Sequence, residues 1–235
     1  RFKCDWSSDV CSSDLKNAPV KSVSFLTDTL LTGAFFALVA YTLYGFATKY
    51  QDGNDVLWFF AFCACVFVAI RSTEFFTRLI FRDTISKHIL NSGPIPHPLA
   101  PGATFTKFVA TTWQLVIHLT ATAFEAYLLW DESWLSHPYT CFVPLDYTPK
   151  TALRLFYILQ LAIWIVTCFS HRFNSDAHAH KDYVMMYIHH LATIGLVAIS
   201  YYHDQTRIGL VVLFLHDCSD IGIDLLKISN YLSID

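Results

Sequence analysis

From Thr29 to Thr48 the chain runs for twenty residues without an Asp, Glu, Lys or Arg. An α-helix of that length covers about 30 Å, the thickness of a bilayer's hydrocarbon core. Lipid offers the backbone no hydrogen-bonding partner, so a segment of this kind closes its own N–H and C=O groups by becoming helical. Similar runs follow. Val56–Ile70 is fifteen residues long, and Arg71 extends it by snorkelling while Glu74 and Arg78 continue the helix at i, i+4 spacing. Phe108–Phe124 is uncharged, and its apolar pattern continues past Glu125 to Trp130. Leu155–Ser170 and Tyr183–His203 are two more spans. A sixth begins at Ile208 and is the least apolar, with Asp217, Asp220, Asp224 and Lys227 inside it. The predicted fold is all-α: a polytopic transmembrane helical bundle with about six spans.

Charged residues make up 15% of the 235 residues, well under the roughly 25% of soluble domains, and the mean hydropathy is +0.40. The net charge of -3 creates no field of one sign, and the basic residues do not interleave with aromatics. Nucleic acid is therefore excluded as a partner. The seven cysteines form no C-x-x-C pair and no regular framework, so they read as reduced packing residues.

Three regions follow. Residues 1–21 form an N-terminal tail whose near-duplicated opening, "CDWSSDVCSSDL", reads as non-native and is set aside. Residues 22–100 hold the N-terminal transmembrane helices and a loop. Residues 101–235 form a second region, expected to be incomplete at its C-terminus, so the chain reads as a fragment at both ends. The stretch "NSGPIPHPLAPG", residues 91–102, has four prolines and marks the boundary as a loop. Five Lys/Arg lie between Arg71 and Lys107, against three acids and one lysine between Asp131 and Lys150. The positive-inside rule places the first loop in the cytosol and the second across the membrane, where Trp130, Trp134, Tyr139 and Tyr147 suit an aromatic belt.

The last two spans carry polar seams. At 100° per residue, His216, Asp217, Asp220, Asp224 and Lys227 fall within an arc of about 100° on the sixth helix. On the fifth, Asp182, His189, Thr193 and Ser200 fall within about 40°, with His190 at the edge. A connection of about four residues, His203–Thr206, makes these helices antiparallel neighbours. Counted from that turn, His190 and Asp220 are expected at one depth, about 10 Å from the cytosolic edge of the core.

A charge near a helix centre costs about 2.5–3.5 kcal/mol to insert, whereas an intramembrane hydrogen bond returns about 0.6–2 kcal/mol. Three aspartates kept only as helix glue, with Lys227 neutralising Asp224, would be a poor exchange. Histidine held by carboxylate is a general base or nucleophile, which suits acyl transfer. A metal centre is the rival, but Met186 stands where an HxxHH box needs its first histidine, and His178 and His180 lie in the loop before the fifth span. His118 and Glu125 read as packing or seam residues.

The stretch "KDYVMMYIHHLATIGLVAISYYHDQTRIGLVVLFLHDCSDIGIDLLKISNY" resembles the signature motif of ceramide synthases, within the wider TLC-domain membrane family. "KFVATTWQL", from Lys107, is similar to the opening of that domain, although the acidic and basic neighbours usual around Trp113 are absent. The resemblance implies a multi-pass protein of the endoplasmic reticulum membrane that moves a fatty acyl group from acyl-CoA to the amine of a sphingoid base. Acyl-CoA is then a co-substrate, and no cofactor or metal is implied. By position, His189, His190, Asp217 and Asp220 are the expected catalytic residues. Asp182, Thr193, Ser200, Arg207, His216, Asp224 and Lys227 are expected to support the site or bind substrate. Membrane lipids are expected partners, with homo- or hetero-oligomers compatible. Because TLC-domain relatives need not be enzymes, a lipid-binding or lipid-sensing protein is the alternative.

Overall fold

The computed structural model describes residues 25–49, 54–91, 101–141, 150–173 and 183–232. Six α-helices account for most of them: α1 (Phe25–Lys49), α2 (Asn54–Asn91), α3 (Pro101–Leu129), α4 (Thr151–Phe173), α5 (Tyr183–Tyr202) and α6 (Thr206–Tyr231). Two short 3-10 turns, Ser133–Ser136 and Pro138–Cys141, follow α3. No strand occurs among the described residues, and the protein is an all-α membrane protein. Four helices are long and apolar enough to cross a bilayer, over Thr27–Lys49, Asn54–Arg82, Thr151–Phe173 and Val184–Tyr202. Neither α3 nor α6 is among these four. Their internal His, Asp, Glu and Lys residues depress the apolar average, as expected for α6.

The proline-rich stretch is shorter as a connection than its composition suggested. Helix α2 runs on to Asn91, and α3 begins at Pro101. Proline suits a first helical turn because its missing N–H would have no intrahelical partner there. Residues 92–100 lie outside the described residues, as do the tail, Asp182, and the loop holding His178 and His180.

The chain divides into two compact units, with the divisions after Phe67, Ala123 and Phe214. One contains α1, the first part of α2, the end of α3, the 3-10 turns, α4, α5 and the start of α6. Its core is α5 packed against both α1 and α4. Phe156, Tyr157, Ile158 and Leu161 of α4 are buried with Tyr187, Ile194, Val197 and Tyr201 of α5. Each helix therefore turns one apolar face to its neighbours, while Leu196 and Ile199 of α5 remain exposed as lipid-facing surface.

Polar clamps close both ends of this unit. At the end where α1 begins, Arg172 of α4 donates to Asp28 of α1 at 2.6 Å and to the Thr32 hydroxyl at 3.0 Å. At the opposite end, Lys49 donates to the Tyr202 carbonyl at 2.7 Å and pairs with Asp204. Asp204 has a φ of 60°, the left-handed conformation that ends helices, and the Gln205 N–H reaches back to the Ser200 carbonyl at 2.8 Å. That is a Schellman closure with Asp in the position glycine usually takes. The three-residue turn that joins α5 to α6 is thus capped by the backbone and held by α1.

The segment after α3 corrects one expectation. Trp130 and Tyr139 are exposed, as an interfacial belt requires, but Trp134 is only 5% exposed. Its indole N–H donates to Glu132 at 2.7 Å, and the Arg207 guanidinium lies 5.9 Å from its ring centroid. Trp134 is a plug under the 3-10 turns, and Tyr147 falls outside the described residues.

The other unit contains the rest of α2, most of α3 and the remainder of α6. Phe105, Phe108 and Val109 of α3 pack with Ile228, Tyr231 and Leu232 of α6, and Phe81 of α2 meets Phe108 edge-on. On α2, Glu74 pairs with Arg71 at 3.0 Å rather than with Arg78, so the supporting charge pair is i, i+3.

Candidate functional site

Helix α5 places the adjacent histidines about 10 Å along its axis from Tyr183, counted at the helical rise. Their side chains diverge by 100° and meet different surroundings. His190 is 7% exposed and His189 is half-buried. The Nδ1 of His190 lies 2.7 Å from the Met186 carbonyl oxygen one turn back. A carbonyl only accepts, so Nδ1 carries the proton and, in the neutral ring, Nε2 holds the lone pair. The helix backbone thereby selects the tautomer of His190.

Aromatic rings enclose the pair. Trp164 of α4 stands edge-on to His189 at 6.1 Å and to His190 at 5.5 Å. His171, from the last turn of α4, lies nearly parallel to His190, with centroids 5.6 Å apart and planes 6° apart. Against rings packed on two sides, the imidazole of His190 has few rotamers open to it. Neither Trp164 nor His171 was singled out by the sequence, because both belong to α4 and no spacing on α5 points to them.

Thr193 and Ser200, from the predicted α5 seam, are engaged locally. The Thr193 hydroxyl donates to the His189 carbonyl at 3.1 Å. Ser200 donates to the Val197 carbonyl at 2.9 Å, which leaves its oxygen to accept from the buried Tyr157 hydroxyl. Gly209 of α6 faces the same point. A Cβ there would collide with the Tyr157 hydroxyl and come within 3.0 Å of the Ser200 oxygen. Arg207 donates to the Thr140 carbonyl at 2.9 Å and, together with its place over Trp134, ties the start of α6 to the 3-10 turns.

The acidic residues of α6 belong to the other unit. Asp217 is 1% exposed and Asp224 is 2% exposed, while Asp220 is half-buried. His216 approaches Asp220 from the preceding turn, Nε2 to Oδ2 3.4 Å. Lys227 reaches Asp224 at only 3.8 Å, with a side chain 40% exposed. The closer partner of Asp224 comes from α3: His118 Nδ1 is 2.8 Å from Asp224 Oδ2, and its Nε2 is 3.6 Å from Asp220 Oδ2. A carboxylate accepts only, so His118 donates.

His118 thus joins the α6 acids, a role that reading α6 alone did not supply. A signal was present on α3. Thr111, His118, Thr122 and Glu125 fall within about 60° on a helical wheel, a third polar stripe. Glu125 is fully buried.

The Met186 carbonyl leaves Nε2 as the acceptor nitrogen of a neutral His190, and His189 is the more accessible imidazole. The acidic stripe offers carboxylate oxygens to a cationic group.

Comparison with known proteins falls on the same part of the chain. Residues 107–235 match the family model described as TLC domain. Human ceramide synthase 5 is 32% identical over 129 residues, which are 54% of this chain and 32% of that protein. Mouse ceramide synthase 4 is 33% identical over 126 residues, 53% of this chain and 31% of its own length. Ceramide synthase 1 LOH3 of Arabidopsis thaliana is 30% identical over 131 residues, 53% of this chain and 42% of that protein. The chain thus spans about a third of the first two relatives and somewhat more of the third. With its second half matched by that model from Lys107, in α3, through the end of α6, the chain belongs to the TLC-domain family.

Proposed function

We propose that this protein is a ceramide synthase of the endoplasmic reticulum membrane, transferring a fatty acyl group from acyl-CoA to the amine of a sphingoid base. One observation carries the reading. The adjacent imidazoles of α5 and the acid stripe of α6 both fall inside the region matched by the TLC domain, and curated relatives matched over 54% and 53% of this chain are named ceramide synthases. A protein that only held lipid would have little use for adjacent histidines inside a span, one of them buried and hydrogen-bonded to the helix backbone.

In the proposed reaction the amine nitrogen attacks the thioester carbonyl carbon. The C–N bond forms, the C–S bond breaks, and coenzyme A leaves as the thiol. The amine delivers a proton to an imidazole, which returns it to the departing sulfur. His189, the more accessible of the pair, is the residue proposed to face substrate. His190 is proposed to orient and support it, held by Met186, Trp164 and His171. Asp217 and Asp220 are proposed to bind the ammonium form of the substrate by its charge, and a carboxylate oxygen accepts the proton that leaves before the neutral amine attacks. Transfer through an acyl-imidazole is compatible with the same residues: the imidazole nitrogen attacks the thioester and expels coenzyme A, and the amine then attacks the acyl-imidazole, forming the amide and freeing the ring.

The test is an assay of the full-length protein in microsomes lacking other ceramide synthases, with acyl-CoA and a sphingoid base. Wild type is expected to form N-acyl product, while His189→Ala and Asp217→Ala abolish it at equal membrane abundance. Activity equal to wild type in either variant refutes the assignment. A wild type that binds both lipids without turnover favours a lipid-binding protein.

A further inference from the structure

We propose that His118 is a positioning residue for the amine substrate. Acting with His216, it holds Asp220 by one oxygen, Oδ2, and leaves Oδ1 turned toward the substrate's ammonium group. The inference rests on the proposed N-acyl transfer and extends it to a residue outside α5 and α6.

Asp220 and Asp224 stand four residues apart on α6, where two like charges repel. Only one of the two acids has a basic residue of its own helix within a turn downstream, and Lys227 reaches Asp224 weakly, at 3.8 Å. His118 enters from α3 and addresses both carboxylates with one ring. Its Nδ1 makes the short hydrogen bond, 2.8 Å to Asp224 Oδ2. That bond anchors the imidazole, because the Asp224 side chain is only 3% exposed and has little room to move. To hold both acids the ring has to be an imidazolium, whose second N–H, at Nε2, stands 3.6 Å from Asp220 Oδ2, an ion-pair distance longer than a hydrogen bond. His216 comes to the same oxygen at 3.4 Å. Both imidazoles make their nearest approach to Oδ2, at ion-pair distances, so in this proposal they draw that oxygen and leave Oδ1, the farther of the two, for the ligand. Asp220 is the half-buried member of the stripe, its side chain 20% exposed, so it is the acid best placed to meet a ligand. An alkylammonium group, with three N–H donors and a compact charge, suits such a single presented oxygen.

The experiment compares steady-state kinetics of full-length wild type with three substitutions at position 118. His118→Leu removes both nitrogens. His118→Asn places its amide nitrogen where Nδ1 stood and keeps the Asp224 bond. His118→Gln places its amide nitrogen where Nε2 stood and keeps the contact with Asp220. The expected result is a rise on the order of tenfold in KM for the sphingoid base with His118→Leu, and KM for acyl-CoA within about twofold of wild type. His118→Gln is expected to restore the sphingoid-base KM and His118→Asn is not. A purely structural role lowers the amount of folded enzyme and moves neither KM. Should His118→Leu fail to accumulate, the contrast between Gln and Asn carries the same discrimination. An unchanged sphingoid-base KM in an active protein, or restoration by Asn in place of Gln, overturns the inference and leaves N-acyl transfer standing. A wild type without N-acyl transfer overturns both.

Discussion

Asp55 shows what a hydropathy pattern leaves out. By sequence it is a flanking charge just ahead of the run Val56–Ile70. In the structure it is 1% exposed, accepts a hydrogen bond from the Tyr201 hydroxyl and lies 3.5 Å from the Arg154 guanidinium. Nothing at residue scale announces this, because Tyr201 is 146 positions away. The charged residues that were legible are those sharing one helix face, such as Asp217, Asp220 and Asp224, whose common arc follows from helical geometry alone. Pairings across helices, including His118 with Asp224 and Arg172 with Asp28, require the tertiary fold. Removing one partner of a buried ion pair strands the other, at about 3–5 kcal/mol. Asp55→Ala is therefore expected to destabilise the unit built on α5 by about that amount, and Asp55→Asn by less. Thermal unfolding in detergent, followed by loss of monodisperse protein, checks the order. A melting temperature unchanged in Asp55→Ala would show that the cluster contributes nothing net.

Elements were easier to read than pairs. Each of the six helices covers one of the apolar runs, α5 stopping one residue short at Tyr202, since a segment facing lipid has to satisfy its own backbone. What periodicity did not show was how tightly the start of α6 sits against α4 and α5. Gly209 permits that approach. A Cβ at this position would strike the Tyr157 hydroxyl and lie 3.0 Å from both its Cζ and the Ser200 oxygen. Overpacking of this kind costs about 1–3 kcal/mol. Gly209→Ala is expected to lower stability in that range, and adding Tyr157→Phe should recover part of it by removing the atom struck. The double-mutant cycle, read by thermal melts of the four purified proteins, isolates the coupling. Additive losses would contradict the proposed close approach. The turn into α6 also escaped sequence reading in one respect. Its shortness was legible, but the left-handed Asp204 and the hold of Lys49 on the Tyr202 carbonyl depend on α1 arriving at the same end.

At the scale of the whole molecule, the multi-pass membrane character was legible from composition, and family membership from the motif spanning α5 and α6. Which imidazole faces substrate was not, because spacing only separates His189 and His190 by 100°. Burial and the bond to Met186 separate a packed His190 from a half-buried His189, and the proposal that His189 meets substrate is built on that difference. Imidazoles and acids occur together on α5 and α6, and acyl transfer is the use proposed for them. The most direct test is a single-turnover reaction of the purified full-length protein, with isotopically labelled acyl-CoA and a sphingoid base. Mass analysis of product, free coenzyme A and the peptide containing His189 and His190 follows the label. Label is expected to leave acyl-CoA and arrive on the sphingoid nitrogen with one coenzyme A released per amide formed, and His189→Ala is expected to stop it. Label remaining on coenzyme A with the wild-type protein, or transfer proceeding undiminished in His189→Ala, would contradict the proposed acyl transfer.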